Sequence, residues 1–443
     1  MIICWYTPVG KVIDHSVIAV SLEFMSNITS QPEPHDGGEQ QPAQPNQQPY
    51  AQQYPPPQGQ PYPPYMQQYP QQYQQYQQSP YPTQPQLYPP ISPEQARRRA
   101  QRKTVGRLAG LILAYQAIFT GASLVAGLIM GVIATIQRVA GENLSQTPSP
   151  ETFRRIEQDL AQTSLQWVGV MSIISVVVGF LFILLMRHRS ILTRAFWLGD
   201  TGNTGNSANP APAAPTAAPQ HARMRPAWFA VFVALIIGIQ GVLQLIQIAF
   251  AALGVPLVSP TSDSIDEAAI TVSMWLYIGL IGPIVEEVVF RGVLMRELKP
   301  LGKNFAIITS SFMFALFHDD VVQGVFAFGC GLVFAFVAME YSLIWSIALH
   351  IFNNAILGGV LSEFAASFGD TGNIVYGVTL MIVGIVGLIA VLVKYGWGLR
   401  EYARVNRSAP GTYWNWTSGL FLTFAILNGM AALGSFTIAM TTA

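Results

Sequence analysis

The sequence predicts an all-α fold, a polytopic transmembrane helical bundle of about eight or nine spans behind a disordered N-terminal tail. Three observations carry it. First, 51% of the 443 residues are hydrophobic and only 10% are charged, against about 25% charged in a soluble domain, and mean hydropathy is +0.36. Second, apolar segments recur at 108–136, 167–186, 228–255, 270–290, 305–317, 321–339, 342–361, 374–393 and 417–440. A spanning helix needs about 20 apolar residues, so most of these qualify and 305–317 is short. Third, the basic residues alternate in side. If the chain before Arg107 is cytoplasmic and nine spans follow, the cytoplasmic segments hold six Lys or Arg in 97–107, five in 187–226, four in 291–303 and four in 394–415, which is 19 of the 23. The outer segments hold Arg138, Arg154 and Arg155 beside Asp263, Asp266, Glu267, Asp319, Asp320, Glu363 and Asp370. This bias predicts a cytoplasmic N-terminus and an external C-terminus.

In chain order, residues 1–96 form the tail. The apolar stretch Val17 to Phe24 is too interrupted for a span and lacks the basic start and cleavage site of a secretory signal. Met25 offers an alternative start to Met1. Residues 31–93 are almost all Gln, Pro and Tyr, which cannot build a core, so a cytoplasmic, disordered spacer is expected. A tyrosine-proline recognition tail is the sharper alternative. The cluster Arg97–Lys103 anchors the cytoplasmic end of the first of two spans within 97–200. An Asn-, Pro- and Ala-rich cytoplasmic linker occupies 201–226, and a transmembrane core follows over 227–443. Net charge is zero, so no field suggests a nucleic-acid partner. The partners implied are the lipid bilayer and a membrane-associated protein or peptide. Cys4 and Cys330 lack the spacing of a disulfide framework or a cysteine metal site, and Cys330 reads as a small core residue.

The chemistry concentrates in 270–360. Glu286, Glu287 and Arg291 sit in a stretch that otherwise reads as a span, where ionisable residues are costly and rarely accidental. Glu287 and Arg291 are four apart on one helical face and can pair. Glu286 is offset by about 100° from Glu287 and should point elsewhere, as a general base or acid. Downstream, Phe314 and His318 are four apart, so the ring can pack on the imidazole. His350 and Asn354 are also four apart and offer donors to one point, as an oxyanion site requires. Taken singly, the Glu–Arg pair reads as readily as a structural clamp, a lone His as a packing residue and an Asn as interhelical glue. Their joint occurrence in one block, while other spans are nearly free of charge, favours a site. Depth sets a condition. Glu286 reaches the height of His318 and His350 only if its helix runs on through Arg291 to near Leu298.

The motif Glu286-Glu287-Val-Val-Phe-Arg291, then Phe314-Ala-Leu-Phe-His318, then His350-Ile-Phe-Asn-Asn354 resembles the CPBP intramembrane proteases. These include the type II CAAX prenyl endopeptidases and bacterial relatives linked to bacteriocin immunity. The resemblance covers roughly 270–360. It implies a membrane-embedded endopeptidase in which Glu286 activates a water, His318 helps to hold it, His350 and Asn354 stabilise the oxyanion, and Glu287 with Arg291 holds the site together. It further implies a glutamate-dependent, metal-free reaction. Two His and two Glu also suit zinc, and a metal, if present, would take Glu286, His318 and His350 as ligands. No His-Glu-x-x-His occurs. The tail and short loops look bacterial, which places the chain in a cell membrane with prenylated substrates in doubt. Two other classes compete. One is a non-catalytic immunity or scaffold protein working through its tail. The other is a proton-relay transporter, weakened by the lack of a visible internal repeat.

Overall fold

The computed structural model describes residues 92–141, 150–199 and 222–442. The tail up to Ile91 and the linker over 200–221 lie outside these residues. Among the described residues every regular element is helical, with no strand.

Helix α1 (Pro93–Gly141) starts on a reciprocal cap. The Ser92 hydroxyl accepts from the Gln95 amide, and the Gln95 side chain accepts from the Ser92 amide. The basic cluster thus rides on the first turns of α1. Helix α2 (Pro150–Ile191) packs along α1 and is followed by the short α3 (Arg194–Leu198). Helix α4 (Pro226–Ala252) opens on a proline whose missing N–H costs nothing at a first turn. Helix α5 (Pro260–Ala268) is capped by Ser259, which accepts from the Ser262 amide.

Helix α6 (272–298) carries the two glutamates. It is helical throughout but alternates in type: α over Val272–Leu276, π over Tyr277–Ile281, α over Gly282–Glu287, π over Val288–Met295 and α again over Arg296–Leu298. Pro283 accounts for the first π turn. Its ring crowds the carbonyl four residues back and it has no N–H to give. The turn widens, and the Gly282 amide donates to the Tyr277 carbonyl five residues back. The helix therefore continues past Arg291 to Leu298, as the depth condition requires.

Helix α7 (Lys303–Leu316) is short. Helix α8 (Val321–Glu340) is capped by Asp320, which accepts from the Gln323 amide at 2.8 Å. Helix α9 (Leu343–Ala366) is capped by Ser342 and contains a π segment over Phe352–Leu361. Helices α10 (Gly369–Val405) and α11 (Gly419–Thr442) complete the chain.

Seven described helices are long and apolar enough to cross a bilayer: α1, α2 from Leu165, α4, α8, α9, α10 and α11. The sequence suggested nine spans. The two predicted segments outside these seven are 305–317, on the short α7, and 270–290, on α6, which carries Glu286 and Glu287 in its apolar run. Helices α6 to α9 form the densest part of the core, around Phe290, Phe314, Phe334 and Arg291, all fully buried. Helix α10 lies against α4 at Gly384, where a Cβ would strike the Ile237 backbone. A small residue lets the two helix backbones close up there, as membrane interfaces favour.

Candidate active site

Glu287 is fully buried and collects three donors. Its Oε1 pairs with Arg291 Nη1 at 3.0 Å and accepts from His350 Nδ1 at 3.0 Å. Its Oε2 lies 2.6 Å from the Ser346 hydroxyl, which also reaches the Phe334 carbonyl at 2.9 Å. Arg291 is equally buried. Its guanidinium sits 4.0 Å over the Phe314 ring and 5.6 Å from that of Phe334, and its Nη2 lies 3.4 Å from the Gly331 carbonyl. Burying two charges costs several kcal/mol each, offset only when geometry and partners are nearly complete. Gly331 belongs to this fit, because a Cβ there would stand 3.1 Å from Arg291 Nη2 and 3.2 Å from Ser311 Cβ.

His350 joins the two glutamates. Its Nδ1 faces Glu287, and its Nε2 faces Glu286 Oε2 at 3.7 Å, beyond direct hydrogen-bond length. The ring stacks on Phe334 with centroids 4.6 Å apart and planes at 20°. The Glu287 carboxylate, charge-paired with Arg291, can only accept, so Nδ1 carries the proton. With one ring proton, Nε2 presents a lone pair toward Glu286. The sequence expectation had Glu286 pointing away from Glu287. Instead the two carboxylates straddle one imidazole, since a ring laid across the helix spans the divergence between adjacent positions.

His318 stands past the last turn of α7. Its Nδ1 donates to the Phe314 carbonyl at 2.8 Å, which again leaves Nε2 as the acceptor. Phe314 meets the His318 ring edge-on at 4.8 Å, the packing expected from their spacing, and lies 6.0 Å from the His350 ring. Phe314 thus stands between the two histidines and under the guanidinium. Asp319, at φ 50, makes the left-handed turn that ends this segment before Asp320 starts α8. Asn354 is 1% exposed. Its Nδ2 donates to the Ile278 carbonyl at 3.1 Å and its Oδ1 accepts from Asn353 at 2.9 Å. It therefore clamps the π segment of α9 to the first π turn of α6 as well as sharing a face with His350.

The structure thus brings Glu286, Glu287, Arg291 and His350 into direct contact. It attaches His318 through Phe314 and Asn354 through the α6 backbone. Sequence reasoning missed Ser346, Gly331 and Phe334. Ser346 was within reach, because it lies one turn before His350 on the same face. Gly331 and Phe334 carry no local signal. Glu286, His318 and His350 have donor atoms of the right type for zinc. Among the described residues, however, no three His, Cys, Asp or Glu side chains converge as a metal site, so no step is derived through a metal.

Residues 268–356 match the family described as Type II CAAX prenyl endopeptidase Rce1-like. The matched segment contains all six motif residues, and the match supports the CPBP/CAAX protease family that the motifs resemble. No curated protein and no solved structure matches the chain.

Proposed function

We propose that the Rce1-like segment makes this chain a membrane-embedded endopeptidase, hydrolysing peptide bonds of membrane-associated proteins or peptides with Glu286 as the base. The observation that carries the proposal is the pair of acceptors, Glu286 Oε2 and His350 Nε2, 3.7 Å apart in a buried site. That separation suits one water donating an O–H to each, with its lone pair turned outward. Glu287, Ser346 and Arg291 fix the His350 tautomer and orientation, a positioning role like that of the third group in nucleophile–base systems. His318, which packs on Phe314 next to His350, is proposed to help hold the water, as the family resemblance implies.

In the proposed reaction the water oxygen attacks the scissile carbonyl carbon and Glu286 takes one of its protons. The other stays hydrogen-bonded to His350 Nε2. The carbonyl π pair becomes an oxyanion, which Asn354 is proposed to stabilise, as the family resemblance implies. Glu286 then passes its proton to the amide nitrogen, the C–N bond breaks, and an acid and an amine leave. An oxyanion role for His350, as the resemblance implies, requires a second proton on the ring. We assign the chain to a cell membrane, with the N-terminus cytoplasmic, on the distribution of Lys and Arg.

The test compares membrane-peptide termini in cells carrying wild-type protein or Glu286→Gln. The variant should fold, with an unchanged melting temperature, and lose cleavage by roughly 10²- to 10⁴-fold, the usual contribution of a general base. Equal sets of termini would overturn the proposal and favour the scaffold alternative.

A further inference from the structure

A cavity of about 450 Å³ lies between α4, α5, α6, α9 and α10. Its inner wall includes Ile278, Gly279 and Asn354, where α9 is clamped to α6 beside the candidate site. Its outer wall carries Asp266 on α5 and Glu363 on α9. No Lys or Arg lines it. Among the described residues, no ion pair engages Asp266 or Glu363. Both residues are solvent-exposed at the cavity wall; two like charges there repel each other, and a cation between them relieves both. Burial first, then the charges of Asp263 and Glu363, push the Asp266 carboxyl up to about 7.

The α4 wall points to a peptide as the occupant. Gln244 lines the cavity, and its buried Oε1 has no hydrogen-bond partner among the described residues. One turn earlier Gln240 is 4% exposed with neither amide atom partnered. Each unpaired buried amide costs about 1–3 kcal/mol, and a backbone N–H entering the cavity would satisfy Gln244. Glu363 follows Asn354 by nine residues on one helix. Most of this stretch is π-helical, so the α-helical rise of about 1.5 Å per residue sets an upper bound of roughly 13 Å, the length of up to about four residues of extended chain.

We propose that this cavity receives the substrate peptide in extended form, and that Asp266 with Glu363 binds a Lys or Arg side chain about four residues from the scissile bond. The inference rests on the endopeptidase reading and adds its substrate class: a membrane-associated peptide with a basic residue near the cut.

The test uses full-length protein in liposomes with a library of single-span peptides. One lysine is walked from two to eight residues on either side of a randomised cleavage region. Wild-type products should show lysine three to five residues from the cut, enriched at least ten-fold over other spacings. In an Asp266→Asn/Glu363→Gln variant with an unchanged melting temperature, that ratio should fall to near one. In Glu363→Lys the preference should move toward peptides with glutamate at the same spacing. Should the double variant fail to fold, the Asp266→Asn single variant carries the same comparison. Wild-type cleavage indifferent to lysine, or an enrichment that survives neutralisation, overturns the inference while leaving the endopeptidase reading intact. Absence of all wild-type cleavage overturns both.

Discussion

At the scale of single residues, the candidate site is a set of buried charges in which Glu287 is paired with Arg291, His350 and Ser346. Removing one member should expose the cost of the others. Arg291→Ala leaves Glu287 with no cation in a dry interior, and should destabilise the protein by about 3–5 kcal/mol in detergent unfolding. Ser346→Ala is a gentler probe. It removes one donor from Glu287 Oε2 and should lower cleavage roughly ten-fold, equivalent to about 1.4 kcal/mol, by loosening the hold on His350. Retained activity in Ser346→Ala would reduce that hydroxyl to a packing role. The six motif residues were legible in the sequence because ionisable side chains stand out in an apolar run. Ser346 and Gly331 were not, because a serine or glycine in a membrane helix is common and gains meaning only from what it touches.

At the scale of elements, helix type matters as much as helix position. Pro283 widens the turn that precedes Glu286. Pro283→Ala restores an N–H and allows ordinary α hydrogen bonding, which would rotate the downstream carboxylates by up to about 100° per residue of register. Cleavage should fall at least ten-fold while the melting temperature holds or rises. Wild-type activity in this variant would mean that the π turn does not set the aim of Glu286. A second element depends on Asp320. Its side chain caps α8 and also accepts from the Ser259 hydroxyl at 2.8 Å and the Thr261 amide at 3.3 Å, which ties α5 to the turn behind His318. Asp320→Ala should cost about 1–2 kcal/mol, as lost caps do, and hydrogen exchange over 259–268 should quicken. Span count shows the limit of reading elements from composition. Hydropathy locates apolar stretches, but whether a stretch stays a single α-helix depends on where its prolines and neighbours force other turns.

At the scale of the whole molecule, the bundle sets the candidate site beside a cavity lined by Asp266 and Glu363. The groups facing Asp266 are Asp263 on its own helix and Glu363 across the cavity. Asp266, at about 7, is ionised above that pH and neutral below it. Binding of a basic side chain needs the ionised form, so the lysine preference should weaken as pH falls from 8 to 6 and recover on return. A preference flat across that range in the peptide-library assay would remove Asp266 from recognition. The sequence by itself determined an all-helical membrane protein, the block that carries the family motifs, and the need for the Glu286 helix to continue past Arg291, because charge content, segment length and i, i+4 spacing are local properties of the chain. Only the tertiary structure decided that both glutamates meet one imidazole, that Asn354 clamps α9 to α6, and that a cavity with two uncompensated carboxylates adjoins them. Each of these depends on how distant helices cross, and side chains some 60 residues apart in sequence, as Glu287 and His350 are, find each other only when packing and π turns have set the rotation of both helices.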